Sequence, residues 1–444
     1  MPDDGFVQFN KHIIEYMRGV YVLLLISLLG YTGRVSGQES VTITQCYEWA
    51  RANYPQIHQM GLIDQTERYS LSNVGKAWLP QLSVSGKASY QSDVTKLPLD
   101  GDKISSLLPG FEIPSLSKDQ YQVVAQVDQT IWDGGSTRSA RALTRAEAIA
   151  NREQLESELY ALNDRVNQIY FGCLLQDELI RQNALLQKEL QVNIERIEAM
   201  MENGVANQSD LESMEVELLN ARQNEIELRA SRTVYRQMLA TFINKPLTDQ
   251  VVLKTPESPE RSLSTQINRP ELRALDAKSE WIETQNKQVT AGLMPRIGAF
   301  VQGGYGRPGL NMLEDSFEPY YVAGVRLSWN LGKLYTLKND RRKIEVSRRQ
   351  IDVQRETFLF NTRLQLLRQN TEIKKMTDLM RADDDIIRLR TSIKQAAEVK
   401  LENGVISVTD LIREINAEDM ARQTAAAHRV QRLMTIYNYM YTTN

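Results

Sequence analysis

Glu202-Asn203-Gly204-Val205 followed by Asp210-Leu211 returns as Glu402-Asn403-Gly404-Val405 followed by Asp410-Leu411, and Ala221-Arg222-Gln223 returns as Ala421-Arg422-Gln423, all at one offset of 200 residues. Nearer the start, Asn53-Tyr54-Pro55 pairs with Asn268-Arg269-Pro270, Pro80 with Pro295 and Tyr90 with Tyr305, at an offset of 215. The smaller offset downstream places a net deletion in the second half, between Tyr305 and Glu402. Matches in one order at fixed spacing mark an internal duplication. The first repeat is assigned to residues 38–246 and the second to 267–444. Between them, 247–266, with Pro256 and Pro259 among charges and serines, reads as a linker.

Both repeats follow one grammar. A short helix (about 42–76, then 268–292) leads through Leu79-Pro80 or Met294-Pro295 into a strand, a polar loop returns into a second strand, and a long helical stretch follows. Strands are expected at about 81–91, 120–132, 296–306 and 320–331, and helical hairpins at about 134–245 and 332–442. The strands alternate strictly: Tyr121, Val123, Ala125, Val127 and Ile131 oppose Gln122, Gln126, Asp128 and Thr130, and Tyr321, Ala323, Val325 and Leu327 oppose Gly324, Arg326 and Ser328. Leu82, Val84, Gly86 and Ala88 in the first strand and Ile297, Ala299 and Val301 in the third continue the pattern. A strand of about ten residues is what a tilted membrane strand needs, and apolar-out, polar-in alternation is the barrel pattern. A half-buried soluble sheet alternates in the same way, but four such strands with no other core partner favour the barrel. Four strands cannot close, and open edges are not tolerated in lipid. Three copies give twelve, an even number that closes, with the loops 92–119 and 307–319 facing outside the cell.

The helices carry a second period. Leu155, Leu159, Leu162, Val166, Ile169 and Cys173 step 4, 3, 4, 3, 4, the a/d spacing of a coiled coil, and Ile386, Leu389, Ile393 and Ala396 step 3, 4, 3. About 70 residues from Gly134 to Asn203 make on the order of 100 Å of helix. The fold class is therefore mixed and mainly α: long coiled-coil hairpins plus four strands per chain, duplicated internally.

Before the repeats, Val20–Gly30 is an apolar run of eleven residues behind Lys11 and Arg18, with Val35-Ser36-Gly37 after it. It is too short to span a bilayer, which takes about 20 helical residues, and has the length of a signal-peptide core. Residues 1–37 are expected to be removed, with Met17 an alternative start. At a formal net charge of −3 the chain has no basic nucleic-acid footprint. His12, His58 and His428 lack metal-ligand spacing, and no catalytic triad or phosphate loop appears, so neither an enzyme nor a cofactor is expected. Cys46 and Cys173 could form one disulfide or pack unpaired inside helices. Met200-Met201 reads as packing rather than metal handling.

Trp132-Asp133-Gly134-Gly135 stands where the second strand becomes a helix; glycine supplies unusual backbone angles and Asp133 can cap the helix. Together with Asn53-Tyr54-Pro55, Leu79-Pro80 and Gly204…Asp210-Leu211, it resembles the pattern of the TolC, or outer membrane efflux protein, family from about Thr42 to Met440. The second repeat departs at Asn330-Leu331-Gly332-Lys333, which puts its capping geometry in question. The resemblance implies a homotrimer with a twelve-strand outer-membrane barrel in lipid and a periplasmic α-barrel, a passive conduit for tripartite efflux or type I secretion. It implies docking of hairpin tips on a periplasmic adaptor joined to an inner-membrane pump or ABC exporter. The tips would be Gly204, Val205, Ala206, Asn207, Ser209 and Leu211, with Gly404, Val405, Ile406, Ser407, Thr409 and Leu411. It further implies an entrance constriction, for which Asp210 and Asp410 are candidates. An Asp near a helix start is equally a capping residue, and Ser209-x-x-Glu212 is a capping-box pattern. The competing class is a surface adhesive coiled-coil protein, which would carry its barrel segment at one terminus.

Overall fold

The structure is a computed structural model that describes residues 40–95, 116–259, 264–312 and 314–444. The expected signal peptide, 1–37, and residues 96–115 of the first loop lie outside the described residues.

The element order runs twice. A strand β1 (Ser40–Val41) precedes helices α1 (Ile43–Asn53) and α2 (Gln59–Gly75), strands β2 (Gln81–Tyr90) and β3 (Asp119–Trp132), and helices α3 (Ser136–Tyr160), α4 (Leu162–Glu202) and α5 (Gln208–Ile243). After β4 (Val252–Leu253) the second round comprises α6 (Pro270–Ala291), β5 (Arg296–Arg307), β6 (Glu318–Ser328), α7 (Lys333–Glu402) and α8 (Val408–Thr443). At 70 residues, α7 is ~105 Å long; α3 and α4 make its counterpart, interrupted at Ala161 alone.

The single helix expected at 42–76 is two. Pro55 has no N–H to donate and biases Tyr54 to extended backbone (ψ 127°), so α1 stops there and a 3-10 turn, Pro55–His58, restarts the chain. At its other end α1 has a full capping box: the Thr42 hydroxyl accepts from Gln45 N–H while the Gln45 side chain accepts from Thr42 N–H. Within the proline-rich stretch 247–266, β4 pairs in parallel with β1, Ser40 opposite Val252 and Val41 opposite Leu253. The Tyr170 hydroxyl holds this pair, 2.9 Å from the Val41 carbonyl and 2.7 Å from that of Lys254.

β2, β3, β5 and β6 form one antiparallel sheet in that order, so strands from both halves share it. A stalk with a barrel segment at one terminus does not produce this arrangement. The register lines Leu82, Val127, Val301 and Ala323 into one lateral row across all four strands. β2 and β6 are the free edges.

The helices pack as hairpins, α4 on α5 and α7 on α8, with α8 also against α4 and α3 against α6. All six seam residues from Leu155 to Cys173 are buried. Cys46 and Cys173 are both free and lie in one core with Val166, Tyr170, Phe171 and Leu239. Burial pushes both thiols up to about 12, so they are inert as nucleophiles.

The second seam lies one residue away from the sequence reading. Ile386, Leu389, Ile393 and Ala396 are exposed, while Asp383, Ile387, Arg390, Lys394, Ala397 and Leu401 face inward. The inward face keeps the heptad step but carries charges, each with a partner: Asp383 with His428 at 2.7 Å, Arg390 with Glu414 at 3.4 Å and Lys394 with Glu418 at 2.6 Å. Choosing the more apolar stripe therefore selects the wrong face.

Candidate functional site

Two regions stand out: the outer surface of the four-stranded sheet and the paired ends of the hairpins.

On β3 the apolar positions Tyr121, Val123, Ala125 and Val127 are exposed, and Gln122, Val124, Gln126 and Asp128 between them are half-buried. A soluble sheet buries its apolar face; this one does the reverse. Val84 is 69% and Val325 70% exposed, and no long helix covers the sheet among the described residues. Aromatic side chains bound the face at both ends. Phe317 stacks on Tyr305 and Tyr121, at 5.7 and 6.4 Å between ring centroids, beside the loops. Trp78, Trp132 and Trp329 stand exposed at the helical end, where Trp329 Nε1 donates to the Leu293 carbonyl at 2.9 Å. From Tyr121 to Trp132 is eleven steps, and at ~3.3 Å each with ~45° tilt they rise ~25 Å, the height of an outer-membrane apolar band. The other face is polar and internally bonded: Gln122 donates to the Tyr320 hydroxyl and Gln126 to Asp128 at 2.7 Å.

The strand-to-helix junctions differ between repeats. In the first, Gly134 and Gly135 take φ of 67° and 83°, and Asp133 accepts from the N–H groups of Gly135 (2.9 Å) and Thr137 (2.5 Å). Burial would raise the Asp133 carboxyl; these bonds outweigh it and hold it below its ordinary range. A Cβ on Gly134 would lie 2.5 Å from that of Met294, so the glycine also lets the two repeats meet. In the second junction Gly332 is right-handed at φ −61° and no side chain caps α7.

The two tips are near copies. α4 closes with Gly204 at φ 72°, its N–H on the Met201 carbonyl and that of Val205 on Met200; α7 closes with Gly404 at φ 69°, bonded likewise to Leu401 and Lys400. Both are Schellman closures, which glycine allows without steric cost. The next helix opens with a capping box each time. Asn207 and Asp210 exchange bonds of 3.1 Å, and Ser407 and Asp410 bonds of 3.2 Å, with a further 2.7 Å bond from the Ser407 hydroxyl. Asp410 is held below the usual carboxylate range first by Ser407, and it also pairs with Arg413 at 3.2 Å.

Both tips rest on one core of Ile194, Ile197, Met214, Val408, Leu411 and Ile415, so residues 200 apart in sequence share one end of the molecule. Gly204, Val205, Asn207, Ser209, Gly404, Val405, Ser407 and Thr409 are exposed there. Ala206, Ile406 and Leu211 are half-buried against the core, and Leu411 has no exposed surface, so it shapes the tip from inside instead of presenting a contact. Met200 packs on the same core.

A charged lock behind the tips escaped the sequence reading. Lys394 of α7 bonds Glu189 of α4 and Glu418 of α8, and Glu418, only 2% exposed, also accepts from Thr391 at 2.6 Å and from Arg422. The signal was present: Leu411, Ile415, Glu418, Arg422 and Ala425 step 4, 3, 4, 3, which puts a carboxylate on a seam position. Among the described residues no helix is long and apolar enough to cross a membrane, and no group of His, Cys, Asp and Glu is arranged to hold a metal.

The family model of the outer membrane efflux protein matches residues 46–245. Over that stretch the chain is similar to the outer membrane efflux proteins. The fold of solved channels agrees over nearly the whole length. CusC superposes with a TM-score of 0.64 at 15% identity, covering 90% of this chain and 92% of that one. The outer-membrane channel OprN gives 0.64 at 14% over 90% and 89%, and the open state of the Neisseria gonorrhoeae MtrE outer membrane channel 0.62 at 14% over 90% and 88%. No curated protein matches the sequence. The efflux-family model ends at 245, while the shared fold runs on through the second repeat.

Proposed function

We propose that three copies of this chain form a passive outer-membrane export duct that works with a periplasmic adaptor and an inner-membrane pump or ABC exporter. The observation that carries the proposal is the inverted sheet: an exposed apolar face between two aromatic borders, with a polar face behind it. Water would penalise that surface at roughly 25 cal/mol per Å², whereas lipid would not. β2 and β6 run antiparallel to each other in the strand order, so the β6 of one copy can continue into the β2 of the next, and twelve strands close without an edge. The polar face then lines the lumen and the helical hairpins extend it through the periplasm. Residues 1–37 serve as the export signal, with 38–246 and 267–444 as the two structural repeats.

At the far end, the exposed residues Gly204, Val205, Asn207 and Ser209, with Gly404, Val405, Ser407 and Thr409, supply the adaptor contact, braced by Ala206, Ile406, Leu211 and Leu411. Asp210 and Asp410 add up to six negative charges around the entrance of a trimer, alongside their capping role. Reconstitution in planar bilayers tests the reading. Stepwise, cation-favouring conductance is expected, with weaker cation preference in Asp210→Asn/Asp410→Asn, because asparagine caps about as well but carries no charge. Absence of conductance steps would overturn the duct, and unchanged selectivity would leave the aspartates as caps only.

A further inference from the structure

Where β4 crosses the helices there is a cleft of about 650 Å³, within the range that holds small organic ligands, roughly 300–1,000 Å³. Its apolar wall is made by Leu174, Val251, Leu253, Met380, Val430 and Leu433. Five arginines line it, Arg181, Arg232, Arg236, Arg429 and Arg432, against three carboxylates, Asp177, Glu178 and Asp249, an excess of two positive charges (5 − 3).

The pairing inside the cleft concentrates that excess. Arg181 takes Glu178 at 2.6 Å, and Arg232 takes both Asp177 at 2.5 Å and Asp249 at 2.8 Å. Arg236, with a side chain only 5% exposed, places Nη2 on the Thr248 and Val251 carbonyls, 2.8 and 2.5 Å away, and Nη1 3.8 Å from the already engaged Asp177. Its Nε is buried without any hydrogen-bond partner. Arg432 donates to a neutral group, the Thr377 hydroxyl at 3.0 Å, and Arg429, whose charge acts on Glu178, makes no hydrogen bond or close ion pair among the described residues. An unmet buried guanidinium N–H costs on the order of 1–3 kcal/mol, more for a charged group, unless something accepts from it.

The geometry points to a binding site for a small organic anion with an apolar tail. Its carboxylate would take the free donors of Arg429 and Arg432 together with Arg236 Nε, and its tail would cover Leu174, Met380 and Leu433. A hydrated inorganic anion satisfies the arginines but leaves the apolar wall wet; an uncharged amphiphile does the opposite. The inference rests on the cleft alone and not on the export duct, so either can fail without the other.

Octanoate is the probe, measured by equilibrium dialysis against the full-length protein in lipid nanodiscs, with empty discs subtracted. One saturable site per chain is expected, with octanoate bound at least about tenfold more tightly than octanol or octylammonium. Arg429→Gln/Arg432→Gln, two changes that break no ion pair, should weaken octanoate by about tenfold while leaving the thermal unfolding midpoint in place. The inference is overturned by unsaturable uptake, by equal binding of octanol, by an unchanged affinity in the double variant, or by inorganic phosphate displacing octanoate at equal concentration.

Discussion

Glu418 occupies a seam position between Ile415 and Ala425 where an apolar side chain would ordinarily sit. Burial would raise its carboxyl, but the bonds from Lys394, Thr391 and Arg422 outweigh burial and hold it below its ordinary range. Asp419, the next residue, is the opposite case. Burial pushes its carboxyl up to about 6, because the 2.6 Å bond from Gln423 and the charge of Arg422 do not offset burial and the nearby Glu189 and Glu418. A carboxyl raised in the folded state binds its proton more tightly there than when unfolded. Its contribution to stability is therefore whole below the ordinary carboxylate range near 4 and is lost as pH rises to about 6. Glu418 and Asp410, both lowered, act in the other direction, so the informative quantity is the difference between two proteins. Asp419→Asn should gain melting temperature relative to the wild type as pH rises from about 4 to about 7, and the two should converge at the acid end. Thermal unfolding across that range measures it; parallel curves would show that Asp419 is not held protonated.

At the scale of elements, what could be read in the sequence follows a simple rule. Periods were legible where the chain itself supplies the partner or where lipid replaces it. The 4, 3, 4, 3, 4 steps from Leu155 to Cys173 mark residues that are all buried, and the two-residue period of β3 marks which side is exposed. The α7 seam was missed because its inward residues, Asp383, Arg390 and Lys394, are polar and are satisfied by Glu414, Glu418 and His428 from another helix. No local pattern announces such long-range pairing. β4 was missed for a related reason, since two residues become a strand only when β1, more than 200 positions earlier, lies alongside. At the tips, the glycines and Asp210 and Asp410 were visible as punctuation, but not the shared core that joins them. The strand period gives its own prediction. Val84, opposite Ala125 on the apolar face, should resist lysine by about 2–4 kcal/mol near the bilayer midplane, and Val325→Lys should behave alike. Ser85→Lys, on the polar face, should cost little. Assembly yield across a lysine scan of β2 checks this, and a profile without a two-residue period would refute membrane insertion of the sheet.

For the whole molecule, the decisive surface is one the single chain leaves wet. Val346, Val353, Phe360 and Leu367 recur every seven residues along α7 and are 54–65% exposed, and farther on Leu379, Ile386 and Ile393 keep the same interval. A seven-residue apolar repeat is the pattern of a helix that packs on another, yet the inward seam of α7 already serves α8 and, through Ile344 and Ile351, α6. The second stripe therefore needs a partner outside the chain, and the open edges β2 and β6 require one in the same direction. A second copy satisfies both, the helices closing side by side as the strands do. Burying a Val, Leu or Phe side chain is worth roughly 1.5–3 kcal/mol each, so a few positions decide the assembly. Val353→Glu/Phe360→Glu should leave the single chain helical, because both side chains project from the hairpin surface, while placing at least six carboxylates in the contacts of a trimer. Native mass spectrometry of the purified protein should show trimer for the wild type and monomer for the double variant, with circular dichroism unchanged. Replacing both glutamates by leucine should bring the trimer back. A variant that remains trimeric would mean that this stripe faces a different partner or the lumen, and the route of assembly would then run through the sheet edges alone.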